Sequence, residues 1–308
     1  MFQSTGALAL PNPLQRRMDS MAHAFLQPAA GPVVDFAGPR GENALIAAES
    51  VSWRVFKNPV SLFIGGIAAV LLELAEPRVR DGVWQHSNFR TDALARLQRT
   101  GLAAMVTVYG PRSKAETMIA RVVSAHGRVT GHTSGGIAYD ANDPELLDWV
   151  QATASYGFME AYHGFVRPLN LADRNAMLEE GYAAARLYGA IGAPRSQVAL
   201  DTLFAGMERK LVGSPIIAEF LDIMAHVPAF PAVARPMQRM LIRAAIDILP
   251  GWLRERLDLG ADWSLKPGER ALVRAVARSS ERLMLRESPA IQSCRRLGLP
   301  DDYLYRPH

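Results

Sequence analysis

The side chain best placed for chemistry is His126, near the end of the segment SKAETMIARVVSAHGR. Ile119, Val122 and Val123 lie seven, four and three residues before it, so a helix places all four on one apolar face. A histidine in this position is either a core residue hydrogen-bonded to a neighbour or a metal ligand, because a neutral imidazole on a helix is a common proximal ligand of haem b. The residues alone leave both interpretations open.

The preceding segment carries three polar residues at helical spacing. Arg96, Arg99 and Thr100 are three and four positions apart, so they point to the same side of a helix, next to Leu94 and Leu97. Such a group is either a solvated edge or a polar patch turned into a pocket. In a pocket, an arginine can pair with a haem propionate and another donor can hydrogen-bond to dioxygen.

Other polar residues are weaker candidates. His86, in WQHSNF, has a structural interpretation as a helix-end histidine bonded to the backbone. Its functional interpretations are a distal-pocket residue, a group that supports the ligand, or an alternative ligand. Glu160, in FMEAY, is either a satisfied core glutamate or a semi-buried catalytic base. His163 lies on an aromatic helix face and is expected to be structural, and His132 lies in a Gly-rich loop.

Non-haem iron is an alternative that the sequence supports poorly. A mononuclear site needs two histidines and a carboxylate, and only the distant set His86, His126 and Glu73 supplies them. A di-iron bundle needs two ExxH pairs, whereas the chain has one, Glu160 with His163. There is no GxSxG elbow and neither of the glycine fingerprints for phosphate or dinucleotide binding.

Composition narrows the class of protein. Of 308 residues, 49% are apolar and 21% charged, which is typical of a globular protein. The net charge of +4 is modest and the arginines are scattered, which argues against nucleic-acid binding. Cys294 is the only cysteine, so the chain has no intrachain disulfide, CxxC zinc site or CxxCH haem attachment.

The chain shows no targeting or spanning segment. Its most apolar run, Leu62 to Leu72, is too short to cross a bilayer. The N-terminal residues lack the apolar region of a secretory signal. We therefore expect a cytoplasmic protein without a transmembrane segment.

The elements that must position these residues are helical, and we find no strand alternation, βαβ rhythm or internal repeat. Ser113 is expected to cap the His126 helix in a capping box with Glu116, and Thr130 to Tyr139 reads as a Gly-rich loop. Four or five further helices are expected between Gln197 and Leu285. The other predicted helices are Ala44 to Phe56, Val60 to Ala75, Arg80 to His86, Asp92 to Val108, Asn142 or Asp143 to Val166, and Leu171 to Gly189.

These elements predict one all-α, multi-helix domain. Residues 1–40, rich in Pro and Gly, form an irregular N-terminal arm with a short helix around Gln15 to Leu26. Residues 41–290 form the helical catalytic domain, and residues 291–308 a Pro-containing C-terminal tail.

Several phrases between Glu49 and Gly192 resemble, in order, the MpaB-type oxygenases, which are related to the rubber-cleaving latex clearing proteins. They are ESVSWRVFKNPVSLFIGGIAAVLLELAEPRV, WQHSNFR, ARLQRT, RVVSAHGRVTG, YDANDPELLDWV and FVRPL. The resemblance implies a globin-like helical core with haem b. It also implies that His126 is the proximal ligand.

The same resemblance matches Arg96, Arg99 and Thr100 to a distal RxxKT pattern, with arginine in place of lysine. Because arginine stays protonated, Arg99 is not expected to ligate iron. The chain also departs from the family phrase LQLAHP, reading LELAEP with Glu73 and Glu76. The family's WVHA is WVQA here, and the arginine one turn after the ligand is Thr130.

The function that the resemblance implies is a haem b-dependent oxygenase. Dioxygen is its expected co-substrate, and it would oxidise an apolar small molecule, such as the C=C bond of a prenyl-like chain. Its candidate partners are this substrate and an electron donor, and its oligomeric state is open. A haem-binding sensor or carrier, and a helical binding module without haem, are the alternatives.

Overall fold

The computed structural model describes residues 6–8, 13, 15, 16, 19, 20, 34–230 and 232–306. Regular structure in these residues is almost entirely helical, which confirms the predicted all-α class. The short helix expected around Gln15 to Leu26 falls mostly outside the described residues, as does much of the predicted N-terminal arm.

Thirteen α-helices are present in the described part of the chain, with four short 3-10 turns between them. They are α1 (Val51–Phe56), α2 (Pro59–Ala75), α3 (Pro77–His86), α4 (Ala93–Tyr109), α5 (Arg112–His126), α6 (Pro144–Phe165), α7 (Leu171–Tyr188), α8 (Gln197–Met207), α9 (Pro215–His226), α10 (Arg235–Asp247), α11 (Gly251–Arg256), α12 (Glu269–Glu281) and α13 (Pro289–Arg296).

Helix α2 is the central element, and it packs on α6, α9, α10 and α12. Its contact with α6 is made by two glycines. A Cβ atom on Gly157 would lie 2.4 Å from the Gly65 carbonyl oxygen, and one on Gly65 would lie 2.8 Å from the Gly157 carbonyl oxygen. The missing side chains therefore allow the two backbones to touch.

The start of α2 follows from local chemistry. The Asn58 side chain accepts hydrogen bonds from the backbone N–H groups of Val60 (3.1 Å) and Ser61 (3.0 Å), and Pro59 occupies the first helical position. The preceding helix was predicted to begin at Ala44. It begins only at Val51, because Ser50 caps it.

The expected capping box at the start of α5 is wrong. The helix begins at Arg112, so Ser113 lies inside its first turn and its side chain does not cap it. The acceptor is instead the carboxylate of Glu42, which accepts from the Ser113 N–H at 2.6 Å. This hydrogen bond lowers the pKa of Glu42, and a negative charge here is favoured by the helix dipole.

The Gly-rich segment expected as a loop forms a small antiparallel hairpin. Strands β1 (Thr130–His132) and β2 (Ala138–Asp140) pair with Gly131 opposite Tyr139. The turn between them uses Gly136 with φ of 80°. Three residues per strand are too few for a visible alternation of apolar and polar positions, so the sequence pattern could not predict these strands.

The segment predicted as a C-terminal tail contains most of helix α13. The last residue of this helix, Arg296, is buried and holds three backbone carbonyls together; we call this arrangement the Arg296 clamp. Arg296 is 1% exposed and donates to the backbone carbonyls of Phe36 (2.7 Å), Glu42 (2.8 Å) and Tyr109 (2.7 Å). Residues far apart in sequence are joined through this one guanidinium. The three carbonyls belong to a loop, a bend and the end of α4, so sequence periodicity could not reveal them.

Among the described residues, no single helix combines the length and apolar composition of a membrane span. Helices α2 and α3 have that length and composition only when they are taken together, and a bend of 110° separates them.

Candidate functional site

His126 is the last residue of α5 and is half-buried. Ile119 on the same helix is 1% exposed, and Val122 and Val123 are half-buried, so the apolar face has the composition that the spacing predicts. Burial lowers the pKa of the imidazole, and the positive charge of Arg96 lowers it further. The ring is therefore neutral near pH 7, which is the form that binds metal.

The Nδ1 atom of His126 is buried and has no hydrogen-bond partner among the described residues. Buried polar nitrogens are normally paired. Eight buried side-chain polar atoms lack a partner in the described part of the chain, and six of them belong to residues 80–149. These six are Arg80 Nη1, Trp84 Nε1, Ser87 Oγ, His126 Nδ1, Asn142 Oδ1 and Trp149 Nε1. Of these atoms, His126 Nδ1 is the one that belongs to a candidate ligand.

One face of α2 is only partly covered by protein. Phe63, Gly66, Val70 and Glu73 follow each other at intervals of three and four residues and are all half-buried, although most of the helix is fully buried. A Cβ atom placed on Gly66 would have no atom within 4 Å. We call these four residues the open face of α2.

Glu73 is half-buried, but protein atoms surround its carboxyl group. The surrounding protein removes much of the water that a carboxylate needs, and we call the half-buried region around Glu73 the cleft. Burial raises the pKa of Glu73 to about 7, against the lowering effects of the charge on Arg96 and of the Thr153 hydroxyl. The hydroxyl has one proton to donate, and its hydrogen bond of 2.8 Å is to the Val150 carbonyl.

Helix α4 lies along the same cleft. Residues 93–98 are all half-buried, whereas a helix packed on a core has a buried and an exposed side. Arg96 acts electrostatically on both Glu73 and His126, and its own pKa is lowered by burial. Among the described residues its guanidinium has no hydrogen bond and no ion pair within 4.0 Å. Arg96 therefore links Glu73 and His126, since it is the charge that acts on both of them.

Arg99 and Thr100 are not brought to this point. Both are exposed. Arg99 donates to the Asn88 side chain at 2.6 Å, and the Thr100 hydroxyl donates to the backbone carbonyl of Arg96 at 2.9 Å. The rotation of α4 turns Arg96 inward and leaves the other two outside.

His86 is exposed at the end of α3, where its Nε2 lies 3.1 Å from the Tyr139 hydroxyl of the hairpin. Glu160 forms an ion pair with Arg174 of α7, and both side chains are mostly buried. His163 accepts from the Leu169 N–H at 3.0 Å through Nδ1, so it fixes the turn after α6. Each of these side chains has a partner of its own.

The two glutamates that depart from the family phrase have different positions. Glu76 caps α3, accepting from the Val79 N–H at 2.8 Å, and its other oxygen accepts from Arg78 Nε at 2.8 Å. Glu73 faces the cleft. The sequence singled out both residues, but it placed Glu73 only in the non-haem iron set with His86 and His126 and gave Glu76 no role. The signal for Glu73 was a carboxylate within the most apolar helix of the chain.

Two depressions lie outside the cleft. One of about 270 Å³ is lined by Tyr156, Phe204 and Trp252. The other, of about 410 Å³, lies between the start of α4 and the end of α9 and includes Leu94 and Pro228. Neither contains His126 or Glu73, so the unpaired polar atoms rather than surface shape locate the candidate site.

The described residues contain no group of three His, Cys, Asp or Glu side chains that could hold a metal ion. The set His86, His126 and Glu73, considered above for non-haem iron, therefore does not assemble there. A porphyrin-bound iron needs only one protein ligand.

The site is thus a half-buried region of an all-helical domain where Arg96 acts electrostatically on Glu73 and on His126, whose Nδ1 has no partner among the described residues. The chain belongs to the family described as ER-bound oxygenase mpaB/B'/Rubber oxygenase, catalytic domain, which matches residues 53–281. This confirms the resemblance and places the domain among oxygenases. No curated protein and no solved structure matches the chain.

Proposed function

We propose that this oxygenase domain holds haem b through His126 and oxidises an apolar small molecule with dioxygen. The observation that carries the proposal is the half-buried His126 at the end of an apolar helix face, with an imidazole that burial and the charge of Arg96 keep neutral. Once a haem is bound, its iron supplies the dioxygen chemistry.

The residues present fit such a group. The lowered pKa of His126 favours the ligating form of the ring. Arg96 has guanidinium N–H groups without a partner among the described residues, which suit the carboxylate of a propionate or a polar group of the bound reactants. Arg99 and Thr100 are matched to the family's distal pattern by sequence, but their exposed positions favour Arg96 as the residue that acts inside the cleft.

The open face of α2 favours an apolar substrate. Phe63, Gly66 and Val70 present carbon surface to the cleft, and filling that cleft with an apolar chain would exclude water from the reacting atoms. Cleavage of a C=C bond by dioxygen gives one carbonyl on each carbon, so atoms and electrons balance without an external reductant. A prenyl-like chain carries such bonds and has the required shape.

The experiment is the absorption spectrum of protein produced with a haem supply, beside His126→Ala and His86→Ala. We expect a Soret band in the wild type and in His86→Ala, and its loss in His126→Ala. His86 is the matched control, because it is a histidine at a helix end whose partner is Tyr139. A wild type without haem at near-equal stoichiometry would contradict the proposal.

Turnover separates an oxygenase from a haem carrier or sensor. The haem-loaded protein is incubated with dioxygen and a prenyl alkene, and carbonyl products are measured by mass spectrometry. Incorporation of labelled oxygen into both products supports C=C cleavage. Normal haem binding without oxidation of any apolar alkene would support the carrier or sensor alternative.

A further inference from the structure

The depression of about 270 Å³ has aromatic walls that come from three helices. Tyr156 belongs to α6, Phe204 to α8 and Trp252 to α11. The Tyr156 and Phe204 rings pack on each other with centroids 4.9 Å apart, and the Tyr156 hydroxyl donates to the Ile248 carbonyl at 2.7 Å. Contacts within the protein therefore hold these two rings in place, so this part of the wall is preformed.

Two carboxylates line the same depression. Asp201 and Glu208 lie three residues before and four residues after Phe204, so one side of α8 and of the turn that follows it carries all three. Asp201 accepts a hydrogen bond from the Gln197 side chain at 2.8 Å and forms no ion pair with a described residue. The described lining residues include no cationic side chain, although the chain as a whole has a net charge of +4. We call Tyr156, Phe204, Trp252, Asp201 and Glu208 the aromatic pocket.

A cation of the protein itself already lies at the edge of the aromatic pocket. The Arg256 guanidinium lies over the Trp252 ring, with its carbon 5.3 Å from the ring centre. It also donates to the backbone carbonyl of Glu208, and its Nη2 lies 3.7 Å from the Glu208 carboxylate. Arg256 is exposed, so water screens these contacts. The surroundings of Trp252 therefore attract positive charge, and Arg256 competes with any cation that enters.

The lining selects the chemical class of the ligand. Aromatic faces attract cations, and the two carboxylates repel anions. The volume lies just below the range of about 300–1,000 Å³ of pockets for drug-sized ligands, so the ligand is small. A primary ammonium needs acceptors for all of its N–H groups, whereas most of the lining is aromatic or apolar. A methylated ammonium presents C–H groups to the rings and needs no acceptors.

We propose that the aromatic pocket binds a small organic cation with a methylated ammonium group, which lies against the Trp252 and Tyr156 rings with its charge near the two carboxylates. The described lining of the pocket shares no residue with the cleft around Glu73. The inference therefore goes beyond the proposed function and holds or fails independently of it.

The test compares choline with 3,3-dimethylbutan-1-ol, which has the same shape but carries carbon in place of the charged nitrogen. Binding to the full chain is followed by titration of the NMR signals of the probe's methyl groups, which detects weak binding and needs no turnover. We expect choline to bind at least about threefold more tightly than the neutral probe, as cation–π attraction at a partly exposed site predicts.

Two substitutions locate the binding site. Trp252→Leu should weaken choline binding about fivefold, because it removes the largest aromatic face. Asp201→Asn should weaken it about twofold and leave the neutral probe unchanged, because the carboxylate is exposed and acts only on charge. Trp263→Leu is the matched control, since Trp263 is also a half-buried tryptophan but does not line the pocket. Thermal unfolding verifies that each variant is folded.

Arg256→Gln is expected to act in the opposite direction. Without the guanidinium, Trp252 and Glu208 lose a competing positive charge, so choline should bind about threefold more tightly while the neutral probe changes little. A damaged fold weakens binding, so a gain in affinity reports on the pocket itself.

Three results would overturn the inference. They are equal affinity for choline and the neutral probe, equal weakening by Trp252→Leu and Trp263→Leu, and an unchanged choline affinity in Arg256→Gln. None of these measurements depends on haem. A chain that takes up no haem but prefers choline would refute the proposed function and keep the pocket, and a haem-loaded oxygenase without that preference would do the reverse.

Discussion

The two sides of α2 differ in what a single added carbon atom would meet. At Gly65 it would lie 2.8 Å from backbone atoms of α6, whereas at Gly66, the next residue, it would meet nothing within 4 Å. One side of the helix is fixed by backbone contact and the other borders a cleft. The same helix therefore contributes packing energy and a binding surface, and the two contributions can be changed separately.

The largest expected effect is a loss of stability caused by a substitution where α2 packs on α6. Gly157→Val would force a side chain into the Gly65 carbonyl, which lies 2.4 Å from the Cβ position. We expect a loss of more than about 3 kcal/mol in the free energy of unfolding, because backbone atoms cannot move aside. Gly66→Ala should instead be neutral or gain up to about 1 kcal/mol from helix propensity. Chemical denaturation of both variants measures the contrast, and similar losses would contradict it.

The next largest effect is the pH dependence of stability that Glu73, on the open face of α2, produces. A carboxyl with a pKa of about 7 in the folded state binds more protons folded than unfolded between about pH 4.5 and 7. The folded state therefore loses stability as pH rises through that window, by about 2 kcal/mol after allowance for partial exposure.

Glu73→Gln removes this dependence. The difference in unfolding free energy between wild type and variant, measured at about pH 5 and about pH 7.5, isolates the contribution of Glu73. A constant difference at the two pH values would mean that the carboxyl is not enclosed.

A smaller loss of stability is expected for substitutions of Glu76, about one helical turn after Glu73. Glu76→Ala removes the cap of α3 and the partner of Arg78, and should cost about 1 to 2 kcal/mol. Glu76→Gln keeps an oxygen for the Val79 N–H and should cost less. Thermal unfolding of both variants is the measurement. If alanine and glutamine are equally harmful, the ion pair rather than the cap is responsible.

The smallest expected effect is a change in the pKa of Glu73. The Thr153 hydroxyl lowers the pKa of Glu73, so Thr153→Val should raise it by a fraction of a pH unit while keeping the shape of the side chain. Infrared titration of the Glu73 carboxyl, assigned with Glu73→Gln, follows this change. An unchanged midpoint would show that the hydroxyl serves only the Val150 carbonyl.

Local chemistry explains which parts of the fold could be predicted. The start of α2 at Asn58–Pro59 and that of α6 at Asp143–Pro144 are set by neighbouring residues, and the structure has them where the sequence places them. The cap of α5 could not be predicted, because its acceptor, Glu42, is about seventy residues away in sequence. The hairpin was missed because its strands are three residues long.

The candidate site shows the same limit. Helical spacing predicts that Arg96, Arg99 and Thr100 share a side of α4, but only packing sets the rotation that turns Arg96 inward. Sequence likewise marks Glu73 and Glu76 as unusual without assigning them. The 110° bend between α2 and α3 decides that Glu76 becomes a cap while Glu73 stays on the cleft.

The Arg296 clamp has a consequence for how the protein is made. Its guanidinium closes on carbonyls of Phe36, Glu42 and Tyr109, all synthesised far earlier. While the ribosome is still translating, those carbonyls are without this partner. The junction between residues 36–42 and the end of α4 therefore reaches its final form only after synthesis has passed residue 296.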